Sequence, residues 1–183
     1  DSYKSSIPKK LFIYPGMGFG TGNHETTFLC LELLIKSKSL RQGMTCMDFG
    51  CGSGILALAL RKYDPECKID LYDIEKEALD NCIQNIKLND ISMDNIRLML
   101  PKERSLFEKK YDIVFANILK NVLELELEAI SSMVKKGGSL ILSGLLNGQQ
   151  NEIIKAYTDK NINLELIEIS IKGDWVAILF KQN

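Results

Sequence analysis

Met47-Asp48-Phe49-Gly50-Cys51-Gly52-Ser53-Gly54 decides the reading of this chain. The apolar run from Met44 to Met47 leads into an acid and three glycines spaced by two, and a helical pattern from Ile55 to Tyr63 follows at once. A strand that turns this tightly into a helix needs backbone freedom at positive φ, and it leaves bare peptide against which a ligand can lie. The stretch therefore points to a nucleoside-bearing cofactor at the end of a strand. A tight turn with no ligand is the plainer alternative.

The spacing is GxGxG, not the GxGxxG with which dinucleotide enzymes hold a pyrophosphate. Working outward, strands alternate with helices. The expected strands are Leu11–Tyr14, Thr45–Phe49, Ile69–Tyr72, Ile96–Leu100, Tyr111–Ala116 and Ser139–Ser143. The expected helices are Glu25–Lys36, Ile55–Tyr63, Lys76–Asn89, Val122–Val134 and Gln149–Lys160. Lys135-Lys136-Gly137-Gly138 reads as a helix stop, with basic residues in the last turn and glycine after it. Two alternating runs, Leu164–Ile171 and Trp175–Lys181, flank Lys172-Gly173-Asp174 and form a hairpin, so one of them runs antiparallel. The fold class is α/β, a Rossmann-like seven-stranded mixed sheet with helices on both faces and a C-terminal antiparallel hairpin. That is the sheet of the S-adenosylmethionine-dependent methyltransferases rather than of a plain dinucleotide domain.

Four segments carry candidate chemistry. In the glycine turn, Asp48, Gly50, Gly52 and Gly54 are candidate cofactor contacts, and Asp48 favours a cationic group. Asp73 ends the second strand of the βαβ unit, close to the ~20-residue offset of an acid that accepts both ribose hydroxyls. Capping the next helix is its alternative role, and Glu75 is assigned to the cap or to solvent. Asn117 follows a buried strand, where open α/β sheets bind ligands. Its carbonyl oxygen accepts from an amine without adding a fixed charge, and it is a good helix cap as well. Gly16 to Thr27 holds four glycines in seven residues, then His24, Thr26 and Thr27 at a helix start. Thr27 is a candidate cofactor contact. His24, the one histidine, is a candidate catalytic base, with a structural hydrogen bond in the loop as the other reading.

Composition narrows the class. With 183 residues, the chain fits one domain with a full core. Twenty-three basic against 24 acidic side chains give no long nucleic-acid track, so no direct nucleic-acid partner is expected. No window approaches a membrane span. Cys30, Cys46, Cys51, Cys67 and Cys82 contain no CxxC pair, and with a single histidine no metal site is expected. A reducing cytoplasm is the simplest compartment. The chain begins at Asp1, which we read as a piece of something longer: residues 1–10 as an arm or linker remnant, residues 11–183 as one catalytic domain.

Taken together, Pro15-Gly16, Phe19 to Thr27, Asp48 to Ala57, Asp73-Ile74-Glu75, Ala116 to Leu119 and Leu142 to Leu146 resemble the PrmA family, bacterial methyltransferases acting on ribosomal large-subunit protein eleven. The resemblance spans the chain from about Leu11, and the FGTGxHxTT stretch is its most specific part. It implies that Thr27, Gly50, Asp73 and Asn117 contact S-adenosylmethionine. It implies a protein N-methyltransferase acting on lysine or N-terminal amines of a ribosomal protein, by in-line displacement of methyl from sulfonium. Family members carry a separate N-terminal substrate-recognition domain, and only ten residues precede the catalytic fold here. Two rivals stand beside this reading. One is a methyltransferase for a small molecule or nucleic-acid base, though Asn117-Ile118-Leu119 lacks the prolines and aromatic that stack a flipped base. The other is a non-catalytic S-adenosylmethionine-binding module.

Overall fold

Strand β1 (Thr45–Phe49) is buried at four of its five positions and β4 (Tyr111–Asn117) at six of its seven. Continuous apolar runs of this kind suit parallel strands covered on both faces, and that is where the two lie. In the computed structural model of the chain, residues 10–14, 22–106, 109–160 and 162–183 are described, apart from the side chains of 104–106. The elements in order are α1 (Glu25–Lys36), β1, α2 (Ile55–Tyr63), β2 (Lys68–Tyr72), α3 (Lys76–Leu88), β3 (Ile96–Met99), a 3-10 segment (Pro101–Leu106), β4, α4 (Lys120–Ser132), β5 (Val134–Leu146), α5 (Gln150–Asp159), β6 (Leu164–Lys172) and β7 (Trp175–Gln182). The sheet runs β3-β2-β1-β4-β5-β7-β6. Six strands run in one direction, and β7 opposes them, pairing antiparallel with both β5 and β6. The mixed seven-stranded sheet and its C-terminal hairpin are as read from the sequence.

Two cores sandwich the sheet. Leu29 and Leu33 of α1, Leu56 and Leu60 of α2, and Cys82 and Ile86 of α3 pack on one face. Leu123 and Leu127 of α4 pack on the other with Ile153 and Tyr157 of α5. Tyr157 stacks on Phe180 at 5.1 Å, and its buried hydroxyl has no hydrogen-bond partner. An unpaired buried hydroxyl costs about 1 kcal/mol or more. Tyr157→Phe is therefore expected to raise the thermal midpoint by about 2–4 °C. A melt in which the variant unfolds earlier than the parent contradicts this.

Three sequence readings are corrected. Helix α4 begins at Lys120 and ends at Ser132, two residues ahead of the expected span at both ends. Lys135-Lys136-Gly137-Gly138 does not stop a helix but lies inside β5. There the register against β4 slips between Tyr111 and Ile113, and Gly137 takes φ +73°. A Cβ on Gly138 would sit 2.8–2.9 Å from the carbonyls of Lys135 and Tyr111. These glycines serve a bulge and a close backbone approach. Leu11–Tyr14 is extended but is not a sheet strand, because its peptide groups are taken by side chains. Phe12 N–H donates to Asn89 Oδ1 (2.9 Å), Tyr14 N–H donates to Asn85 Oδ1 (2.7 Å), and Asn89 Nδ2 donates to the Phe12 carbonyl (2.6 Å). The proposed arm, residues 1–10, lies outside the described residues except for Lys10, and so does most of the Gly16–Gly22 loop, which falls within 15–21.

Candidate active site

The carboxyl ends of β1, β2 and β4 open into a cleft of about 1040 Å³ lined by all three strands' following loops, by α3 and by Trp175. Gly50, Gly52 and Gly54 take φ of +73°, +53° and +76°, so the turn after β1 uses glycine at every position where the motif places it. The Gly50 and Cys51 N–H groups both donate to the Tyr72 carbonyl (2.8 and 3.0 Å), tying the turn to β2. A Cβ at Gly50 would lie 2.3 Å from Ile118 Cγ2. The loop after β4 thus leans directly on the glycine turn.

Asp73 stands just past β2 and is buried. Its Oδ2 accepts from Gly52 N–H (2.9 Å) and its Oδ1 from Glu75 N–H (3.1 Å). Both oxygens retain acceptor capacity toward the cleft. Glu75 is the N-cap residue of α3 by backbone geometry, but its side chain makes no capping bond.

Asp48 lies in the cleft wall and is almost fully buried, with Oδ2 accepting from Ala57 N–H (3.3 Å) in the first turn of α2. Burial foremost pushes its carboxyl up to about 7, and the negative charge of Asp73 adds to the rise, while the Ala57 bond opposes it. The folded protein therefore holds this proton between about pH 4 and 7, where the unfolded chain has already released it. Its contribution to stability is full below pH 4, falls as the pH rises toward 7, and then levels. The slope is about 1 kcal/mol per pH unit in that window. Urea unfolding of the ligand-free protein between pH 5 and 8 measures it, and Asp48→Asn is expected to flatten it. An unchanged slope in that variant refutes the assignment.

A relay joins the first helix to Asn117. His24 is the N-cap of α1, and its Nδ1 accepts from Thr26 N–H (3.3 Å). Nδ1 is thereby an acceptor, so the Thr26 hydroxyl at 2.8 Å donates to it and itself accepts from Asn117 Nδ2 (3.2 Å). The amide of Asn117 is oriented by this chain, which leaves Asn117 Oδ1 buried with no partner among the described residues. The His24 ring also packs edge-on against Trp175 at 4.6 Å.

Two further buried groups facing this cleft lack partners among the described residues: Thr27 Oγ1, and both amide atoms of Asn81. Sequence reasoning passed over Asn81 and Trp175, and it saw Thr26 without its link to Asn117. Asn81, Asn85 and Asn89 recur every four residues on one face of α3, a signal that was available. Trp175 carried none beyond its place in a strand. Five acids, Asp48, Asp73, Glu75, Glu77 and Asp80, line the cleft, and no lysine or arginine does among the described residues. Among the same residues, no cluster of three or more His, Cys, Asp or Glu could hold a metal, and no helix is long and apolar enough to cross a membrane.

The sheet order and the cleft at the glycine turn define the fold class of S-adenosylmethionine-dependent methyltransferases. Solved structures agree. A ribosomal protein L11 methylase from Lactobacillus delbrueckii subsp. bulgaricus superposes with a TM-score of 0.80 at 28% identity, over 93% of this chain and 84% of that one. A precorrin-6y C5,15-methyltransferase from Geobacter metallireducens shares the fold with a TM-score of 0.69 at 16% identity, over 90% of this chain and 92% of that one.

The profile of the ribosomal protein L11 methyltransferase (PrmA) family matches residues 4–183, and the chain belongs to that family. It is 38% identical to the ribosomal protein L11 methyltransferase of Campylobacter concisus over 172 residues, 94% of this chain and 58% of the relative. It is 41% identical to that of Cupriavidus pinatubonensis over 143 residues, 78% of this chain and 46% of the relative. The chain thus spans about half the length of such relatives.

Proposed function

We propose that this chain is the catalytic domain of an S-adenosylmethionine-dependent protein N-methyltransferase that modifies lysine side-chain or N-terminal amines of ribosomal protein L11. Family membership supports the reaction class. The observation that carries the chemistry is Asn117 Oδ1, a buried acceptor held in a fixed orientation with nothing of its own to bind.

The residues present fit the methyl donor. Thr27 Oγ1, Asn117 Oδ1 and the Asn81 amide are unpartnered polar atoms at the wall of one cleft, and buried polar atoms need partners. The acidic lining suits a cationic ligand, and the absence of lysine and arginine from that lining among the described residues suits one without phosphate. When bound, S-adenosylmethionine supplies a methyl group activated on a cationic sulfonium. Asp73 presents two carboxylate oxygens to the vicinal ribose hydroxyls. Asn117 accepts from an N–H of the neutral amine, which holds the nitrogen lone pair in line without adding charge. Alignment of this kind is the main lever for a donor that already carries its leaving group. Phe49, Ile118 and Trp175 give the cleft apolar walls that keep water away. His24, proposed from sequence as a base, is better placed as a positioning residue, because it orients Thr26 and through it Asn117. Substrate choice by a separate domain outside this chain, and a cytoplasmic setting consistent with five buried free cysteines, belong to the same proposal.

Calorimetry with S-adenosylmethionine and with NAD, followed by mass spectrometry of L11 after incubation, tests it. Binding of the methyl donor alone and methylated L11 are expected, with turnover about a hundredfold lower in Asn117→Ala. Binding of NAD alone overturns the reading, and so does unimpaired turnover in Asn117→Ala.

A further inference from the structure

At the end of the sheet opposite the cleft, the amino ends of β1 and β4 border a second concavity of about 240 Å³, lined by Lys38, Ser39, Arg41, Asp112, Lys136 and Lys181, with Leu40 and Gly137. Its charge is the reverse of the cleft's. Asp112 is the only acid lining it among the described residues, and that carboxylate is already committed. It accepts from Thr45 N–H (2.9 Å), Thr45 Oγ1 (2.8 Å), Lys135 Nζ (3.0 Å) and Arg41 Nη2 (2.6 Å). These bonds hold Asp112 below the usual carboxylate range even though burial acts the other way. Lys181 Nζ donates to Ser39 Oγ (3.1 Å), which in turn pairs with the buried Ser139 hydroxyl (2.8 Å). Lys38 and Lys136 have no side-chain partner among the described residues. Five cations, counting Lys135 beside the notch, therefore converge around one carboxylate that two of them already share.

The fold creates this convergence at some cost. The bulge in β5 at Lys135–Gly138 carries Lys136 to the rim, and Lys38 sits at φ +55°, which a side chain rarely adopts. Like charges held together repel, and a bound anion relieves that repulsion. The net charge of −1 hides a contrast between the two concavities: acid lines the cleft and base lines the notch.

We propose that this notch is a phosphate-binding site. Lys38, Lys136 and Lys181 supply the charge, Ser39 a hydroxyl, and Arg41 a guanidinium edge already oriented by Asp112. The phosphate is that of an RNA backbone or of a free phosphorylated solute, and the two sources are separable by experiment. The site does not depend on the methyl-transfer reading, because it shares no residue with the cleft.

Amide chemical-shift titration of the intact chain with inorganic pyrophosphate, and anisotropy of a labelled single-stranded RNA at several salt concentrations, test the site. The parent protein is expected to shift at Lys38–Arg41 and at Lys136–Gly137 with either probe. The double variant Lys38→Ala, Lys136→Ala is expected to bind about tenfold or more weakly. Its log–log salt slope for RNA should be shallower by about 0.7 per lysine removed. Its melting and its S-adenosylmethionine affinity should match the parent, which separates loss of the site from loss of the fold. The double variant Lys76→Ala, Lys87→Ala, on α3, serves as a control of equal charge change. Tighter binding of RNA than of pyrophosphate identifies a polymer backbone, and the reverse identifies a free anion. Both support the notch. Absence of shifts at those residues at low salt, or equal weakening by the α3 double variant, overturns it.

Discussion

Gly144→Ala is expected to lower the thermal midpoint by about 5–12 °C and to remove methyl transfer. Gly144 follows Ser143 in β5 and takes φ +82°. An added Cβ would lie 2.3 Å from the Ile118 carbonyl oxygen, 2.7 Å from its carbon and 2.9 Å from its nitrogen. All three are backbone atoms, so no side-chain rotation relieves the overlap. Alanine at positive φ costs about 1 kcal/mol and overpacking adds about 1–3 kcal/mol, which for a domain of this size gives the stated range. Ile118 N–H also donates to the Ser143 carbonyl (3.2 Å), so relief must come from displacing the loop that carries Asn117. Because Ile118 packs against Gly50 as well, the displacement reaches the glycine turn. Differential scanning calorimetry and a methyl-transfer assay read both effects. A variant with parental melting and turnover shows that the loop tolerates the methyl group and that the clamp is not rigid.

Asp73→Ala is expected to weaken S-adenosylmethionine by about a hundredfold or more. Two hydrogen bonds donated by a ribose diol to a charged acceptor would contribute about 1.5–3 kcal/mol each. The same carboxylate also accepts from Gly52 N–H and Glu75 N–H, so the variant loosens the glycine turn as well. Asp73→Asn separates the two roles. It retains one acceptor oxygen and loses the charge, so cofactor affinity should fall while the fold's stability changes less than in the alanine variant. Isothermal calorimetry gives the affinities, and urea unfolding gives the stabilities. Parental affinity in Asp73→Ala removes Asp73 from the ribose assignment.

Helices α1 and α2 and strand β1 lie where the sequence places them because their signals are local. The apolar spacing in α1, the glycine turn and the short apolar run of β1 each declare an element within a few residues, although the face read for α1 from Phe28, Leu31, Leu34 and Ile35 is not the buried one: Phe28 and Ile35 are exposed, and Leu29, Cys30, Leu33 and Leu34 pack inward. Lys135 to Gly138 misleads for the opposite reason. Basic residues followed by glycine have the same local pattern in a helix stop and in a bulge. The outcome was set by the carbonyls of Tyr111 and Asp112, on a neighbouring strand, against which Gly138 packs. Leu11–Tyr14 has strand periodicity, and only the three-dimensional placement of Asn85 and Asn89 shows that side chains, not a strand, take its peptide bonds.

The site divides in the same way. Asp48, Gly50, Gly52, Asp73 and Asn117 all reach the cleft, and their place there was legible because each stands at a strand's carboxyl end, where an open sheet collects its ligand groups, whereas Gly54, also named from sequence, faces Cys82 and Leu58 and does not line the cleft. Asn81, the bond from Asn117 to Thr26, and the approach of Gly144 to Ile118 were not. The importance of each lies in a contact across 26 to 91 residues of sequence or in the lack of a hydrogen-bond partner among the described residues. By itself the sequence determined that a strand turns through glycines into a helix, that an acid follows the next strand, and that a hairpin closes the sheet. Those are short-range properties of the backbone and of apolar periodicity. Only the tertiary structure decided that His24 orients Thr26, that Thr26 orients Asn117, and that basic residues scattered along the chain converge in one notch. Hydrogen bonds and charges act through space, and their geometry exists only once the sheet has brought the strands together.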